Sequence, residues 1–180
     1  MKDNIGSILI TEAALKARIA ELGAQISRDY QGKRLLLVGV LKGSVPFMAD
    51  LLRTLDLDVS IEFMAVSSYG AKSVSSGEVR LIKDLDVSVE GMNILIVEDI
   101  LDSGLTLSYL TQLLASRAPA SIRLCTLLDK PERRKVPIKP DYVGFTIPDE
   151  FVVGYGLDYN EQYRQLPYIG ILKREVYDHE

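Results

Sequence analysis

Apolar residues follow two periods along this chain of 180 residues. Ile94 to Val97 is a continuous aliphatic run, as expected of a strand buried on both faces, Arg34 to Leu41 is a second buried-strand candidate, and Ser121 to Leu128 also reads as a strand. Val59 to Val66 and Val79 to Lys83 also read as strands. Helical spacing appears at Leu15, Ile19, Leu22 and Ile26, with Thr11 as N-cap and Gly23 as a weak point. It recurs at Val45, Met48, Leu52 and Leu55, and from Leu105 to Ser116. Strand and helix therefore alternate, which predicts an α/β sheet with ligands at the carboxyl ends of its strands. Three turns would converge there: Lys42-Gly43, Glu98-Asp99 and Asp129-Lys130. Between two strands, Ser67 to Gly77 is polar, rich in Gly and Ser, and long enough to move.

Composition narrows the chemistry. A hydrophobic fraction of 47% suits one domain over 1–180 that buries roughly 70% of its unfolded surface. The longest apolar run, Leu35 to Leu41, is too short to span a bilayer, and the N-terminus lacks signal-peptide character. A cytoplasmic protein without membrane association is expected. Twenty-one basic against 25 acidic residues give a net charge of −4, which disfavours nonspecific attraction to nucleic acid. Cys125 is the only cysteine and reads as a buried thiol. The only histidine, His179, is next to last, so acid–base chemistry falls to carboxylates.

The segment Ile94 to Thr106, ILIVEDILDSGLT, carries the sharpest signal. Glu98 and Asp99 close an apolar strand, where two adjacent carboxylates are not expected to be buried together. Asp102, Ser103, Gly104 and Thr106 then form a small-residue turn in front of a helix, whose free N–H groups and dipole favour a phosphate. Neither GxxxxGK[ST] nor GxGxxG is present. An acidic turn with an ordinary Asx cap is the plain alternative. The segment resembles the signature with which phosphoribosyltransferases bind 5-phosphoribosyl-1-diphosphate (PRPP): an apolar strand, two acids, two apolar residues, Asp, Thr or Ser, Gly, any residue and Thr. Val40-Leu41-Lys42-Gly43-Ser44 is similar to the family's pyrophosphate-binding turn, which often has a cis peptide before the lysine.

Further matches point to the hypoxanthine-guanine branch of that family. Ser68 and Tyr69 resemble the pair that opens its flexible closing loop. Lys130 and the run from Phe151 to Glu161, with Arg164 beyond, resemble its purine-binding hood. Otherwise Lys130 would be one cation in the basic cluster Arg133, Arg134, Lys135 and Lys139, usually a solvated loop. The resemblance implies a type I phosphoribosyltransferase fold, with a mainly parallel central sheet flanked by helices (core about 31–146) and a small hood from about 1–30 and 147–180. It implies that Lys42, Gly43, Glu98, Asp99, Asp102, Ser103, Gly104, Leu105, Thr106 and Arg164 bind PRPP. Lys130 would read the 6-oxo group, Phe151 would stack on the purine, and Val152 would contact it through its backbone. Glu98, Asp99 and Asp158 would hold Mg2+, and Asp102 would be the general base. Leu105 stands where mammalian members carry lysine, so backbone amides and Thr106 must supply more of the phosphate binding.

The reaction implied is purine salvage, in which a 6-oxopurine displaces pyrophosphate from PRPP, by a homodimer or homotetramer. A PRPP-sensing regulator of the same fold that binds nucleic acid, and a transferase for orotate or adenine, are the alternatives. The sequence does not discriminate among hypoxanthine, guanine and xanthine, since all three present the same 6-oxo group.

Overall fold

The computed structural model describes residues 2–68 and 79–178. Five parallel strands form the core of a six-stranded sheet: β2 (Leu35–Leu41), β3 (Val59–Ser68), β5 (Asn93–Leu101), β6 (Ser121–Asp129) and β7 (Tyr142–Thr146). With β4 (Val79–Lys83) antiparallel at one edge, the order is β4-β3-β2-β5-β6-β7. The pleat sorts β2 cleanly. Leu35 and Leu37 face one layer, with Leu95, Val97, Cys125 and Leu127, while Leu36, Val38 and Val40 face the other, with Ile94, Ile96 and Leu124. Helix α1 (Glu12–Asp29) and helix α2 (Val45–Leu52) cover the first layer, and α3 (Leu105–Ala115) covers the second through Leu107, Leu110 and Leu114.

A second, antiparallel sheet holds β1 (Ile5–Ile10), β9 (Ile169–Leu172) and β8 (Val152–Val153), in that order. The N-terminal share of this hood among the described residues is β1 alone. Helix α1, expected in the hood, instead packs on α2 and β7, because its stripe Leu15, Ile19, Leu22 and Ile26 belongs to the core layer. The Thr11 hydroxyl caps it by accepting from the Ala14 N–H at 3.2 Å. Gly23 is no weak point there, since a Cβ would run into the Thr54 side chain and hold the two helices apart.

Two further expectations need correction. Helix α2 buries Phe47, Met48 and Leu51 and leaves Val45 44% exposed, so its inward face is rotated from the predicted stripe. Strand β5 does not stop at Val97 but runs through both acids to Leu101, because β6 pairs with it as far as Asp129. No helix among the described residues is long and apolar enough to cross a membrane.

Candidate active site

Two cavities open at the carboxyl ends of the parallel strands, and Ile100 and Asp102 line both. The first, of about 350 Å³, is lined by Lys42, Gly43, Glu98, Asp99, Ser103, Gly104, Thr106, Asp158 and Arg164. The second, of about 330 Å³, is lined by Lys130, Arg133, Asp149, Glu150, Phe151, Val152 and Tyr177. Charged and backbone groups dominate one. The other has an aromatic wall and a cation. Asp129, expected at the same edge, lines neither cavity and pairs instead with Arg134.

The first cavity depends on close approach. The Leu41–Lys42 peptide is cis, and a Cβ on Gly43 would fall on the Asp99 carboxylate. Gly156, at φ +101°, packs so tightly on the Gly43 carbonyl that no side chain fits there either. Glu98 and Asp99 are both buried, at 8% and 9% exposure, contrary to the expectation that adjacent carboxylates would not share the interior. Backbone donors soften that burial. The Asp99 N–H reaches the Glu98 carboxylate at 3.2 Å, and the Ile100 N–H reaches the Asp99 carboxylate at 2.8 Å. Burial, reinforced by the Asp99 charge, still raises the Glu98 carboxyl well above its usual range.

Helix α3 begins at Gly104, whose φ of +84° is the left-handed region that glycine tolerates, and no side chain caps it. Beyond Leu105, its first-turn amides therefore remain available for an anion. The Leu105 N–H points back to the Ser103 hydroxyl at 3.4 Å, and Leu105 does not line the cavity, unlike its neighbours Gly104 and Thr106. Across the cavity, Arg164 donates to the Gly156 carbonyl at 2.7 Å and pairs with Asp158 at 3.0 Å and Glu161 at 3.2 Å. Glu161 also meets the Lys42 ammonium at 2.9 Å. Lys42, then Arg164, hold the Glu161 carboxyl below its ordinary value.

In the second cavity Lys130 is 7% exposed, and its ammonium donates to the Glu150 carbonyl at 2.5 Å. The Asp149 carboxylate lies 3.8 Å away. The backbone N–H of Lys130 bonds the Leu101 carbonyl at 2.9 Å, which ties β6 to the loop that carries Asp102. Asp102 faces the Arg133 guanidinium at 3.3 Å.

Of the basic cluster after Lys130, Arg133, Lys135 and Lys139 are exposed, as a solvated loop would have them, but Arg134 is not. Arg134, 17% exposed at its side chain, donates to the carbonyls of Leu101 and Asp102 at 3.2 and 2.7 Å and pairs with the Asp129 carboxylate. The Lys135 N–H adds a bond to the Ser103 carbonyl at 2.9 Å. Sequence reading missed this clamp, because its acceptors are main-chain atoms about thirty residues upstream (32 for Asp102). It also missed Tyr177, which no local pattern marks. Of the expected closing-loop pair, Tyr69 lies outside the described residues, and Ser68 ends β3.

Comparison with known proteins agrees with this geometry. The phosphoribosyl transferase domain family matches residues 6–160, and the chain belongs to that family. Within it, the chain is 58% identical to the hypoxanthine-guanine phosphoribosyltransferase of Bacillus subtilis, over 99% of both chains. A crystal structure of a hypoxanthine phosphoribosyltransferase from Staphylococcus aureus is 55% identical and superposes with a TM-score of 0.96, covering 99% of this chain and 97% of the other. A hypoxanthine-guanine phosphoribosyltransferase structure from Bacillus anthracis, 48% identical, gives 0.88 over 94% and 98%.

Proposed function

We propose a division of labour between the two cavities in a single transfer reaction. The protein is a purine salvage enzyme that transfers the 5-phosphoribosyl group of PRPP to hypoxanthine or guanine, giving the nucleoside monophosphate and pyrophosphate. PRPP takes the cavity of Lys42, Gly43 and the β5 acids, and the base takes the cavity of Lys130 and Phe151. One observation carries this reading: Asp102 lies on the wall common to both cavities, where the two reactants must meet.

Each role follows from chemistry at a named group. The uncapped first turn of α3, with Ser103, Gly104 and Thr106, takes the 5-phosphate. As pyrophosphate leaves, positive charge grows on the ribose and negative charge on the departing oxygens. Glu98 and Asp99 hold the ribose hydroxyls and offset the first. Arg164 and the Lys42-Gly43 backbone stabilise the second. Lys42 and Arg164 now share Glu161, so each must turn from that carboxylate to meet the incoming anion. In the base cavity the Lys130 ammonium donates to the 6-oxo oxygen, and Phe151 and Ile100 bracket the ring. Asp102 accepts the imidazole proton as the other ring nitrogen attacks the anomeric carbon. Burial in the closed site would keep water from the cationic sugar.

The donor set fits Mg2+. Two buried carboxylates that repel one another, with Asp158 across the cavity, suit a hard cation that takes one or two carboxylates and completes its shell with substrate oxygens. No ready-made cluster of three or more such side chains exists among the described residues, so substrate must supply part of the shell. Bound there, the ion would neutralise pyrophosphate charge.

The reading as a nucleic-acid-binding regulator loses part of its support. Two of its cations, Arg133 and Arg134, are engaged by Asp102, Asp149 and Asp129, and the net charge of −4 disfavours nonspecific attraction to a polyanion. The test is PRPP consumption with Mg2+ against hypoxanthine, guanine, xanthine, adenine and orotate. Nucleotide and pyrophosphate are expected in equal amounts with hypoxanthine or guanine. Turnover of orotate or adenine alone would overturn the assignment.

A further inference from the structure

Phe151 does not stand alone in the base cavity. The Tyr177 ring stacks on it at 4.6 Å between centroids and 21° between planes. Tyr159 meets it edge-on, at 5.7 Å and 87°. Both geometries are attractive for aromatic pairs, and together they restrain the tilt of Phe151 about two perpendicular directions. Tyr177 also lines the cavity that holds Lys130 and Asp102. With these neighbours in place Phe151 is still 36% exposed, so part of it stays open to the cavity and to a planar ligand.

The connection between the two rings is short and built into one strand. The Leu172 N–H at the end of β9 bonds the Phe151 carbonyl at 2.8 Å. One residue on, the Lys173 N–H bonds the Asn4 carbonyl at 3.0 Å, and the chain turns into the helical turn α4 (Arg174–Tyr177). Val176 and Tyr177 pack against the hood cluster of Val153, Tyr163, Leu166 and Leu172. Tyr177 is thus held on the same small sheet that carries Val152 into the base cavity.

Building on the two-cavity reading, we propose that Tyr177 is a positioning residue for the purine, a second aromatic layer that holds Phe151 in the plane the base stacks on. Base, Phe151 and Tyr177 form a stack of three. The free enzyme keeps Phe151 preorganised, so the base does not have to order that ring when it binds. The effect falls on base affinity. Tyr177 touches neither the PRPP cavity nor the anomeric centre, so the chemical step and PRPP binding do not depend on it.

The test is steady-state kinetics of Y177A and Y177F, with hypoxanthine and PRPP varied in turn. A lost aromatic pair is worth about a two- to tenfold change. Y177A is expected to raise KM for hypoxanthine by that factor, with kcat and KM for PRPP unchanged, and Y177F is expected to match the parent. A lower KM for hypoxanthine in Y177A would mean that Tyr177 competes for the face the base needs, and would overturn the proposal. Equal KM values would overturn it too. A fall in kcat together with a rise in both KM values, not restored in Y177F, would assign the residue to folding instead. Failure of the parent protein to use any 6-oxopurine would refute the reading of the site itself, whereas an active parent with a silent Y177A refutes this inference alone.

Discussion

Replacing Lys130 by Met removes one charge while keeping most of the buried stem, and the structure sets what that should cost. An ammonium has three donors and no acceptor. One donor of Lys130 is held by the Glu150 carbonyl at 2.5 Å, and a second faces Asp149 at 3.8 Å. A third remains for the cavity. A hydrogen bond to a charged group is worth about 1.5–3 kcal/mol, or about 10- to 150-fold in binding. The Lys130→Met variant should therefore lose about that factor in kcat/KM for hypoxanthine. Adenine behaves differently, because its 6-amino group would set donor against donor and leave buried groups unpaired. A site built to hydrogen-bond one polar group discriminates by about 10⁴-fold against such a partner. The unmodified protein should show that preference for hypoxanthine, and the variant should narrow it mainly by losing hypoxanthine activity. The assay is kcat/KM for both bases in both proteins, with thermal unfolding alongside to detect the now unpaired Glu150 carbonyl. Comparable rates for the two bases in the unmodified protein, or an unchanged ratio in the variant, would refute Lys130 as the reader of the base.

Three other outcomes are expected. Chelation of divalent metal should abolish turnover and added Mg2+ should restore it; full activity in excess chelator would remove Glu98 and Asp99 from metal binding. Gly43→Ala places a methyl group on the Asp99 carboxylate and should destabilise the fold by about 1–3 kcal/mol and raise KM for PRPP; parent-like values of both would contradict the close packing of that turn. Cys125 is fully buried, and burial pushes its thiol far above the ordinary range, so less thiolate forms at any given pH. Alkylation should follow global unfolding, and rapid labelling of the native protein would contradict this.

Most residues expected at the candidate site do line its two cavities, because the patterns that mark them are local. The small-residue turn from Asp102 to Thr106 and the buried β5 run lie within the 13 residues from Ile94 to Thr106, and each imposes its own backbone requirement. The lysine-glycine turn behaves the same way. What escaped depends on partners set by the fold. Glu98 and Asp99 looked like strand-end acids, but pairing of β6 as far as Asp129 carries β5 past them and buries both. The clamp of Arg134 on the Leu101 and Asp102 carbonyls leaves no trace in local pattern, and in sequence the arginine reads as surface charge. Chain position points helix α1 to the hood, but its apolar stripe meets α2 and β7; a stripe alone does not say which surface it meets. Of the hood strands, β8 has only 2 residues and β9 only 4, too few for a period to show.

Asp102, which lines both cavities, is proposed as the group that takes the purine proton. Its direct test is the kcat of Asp102→Asn with hypoxanthine at saturating PRPP, together with the affinity of that variant for PRPP. Loss of a general base lowers kcat by about 10²–10⁴-fold, and the account predicts a fall in that range with PRPP affinity little changed. A variant that keeps near-parental kcat would contradict it.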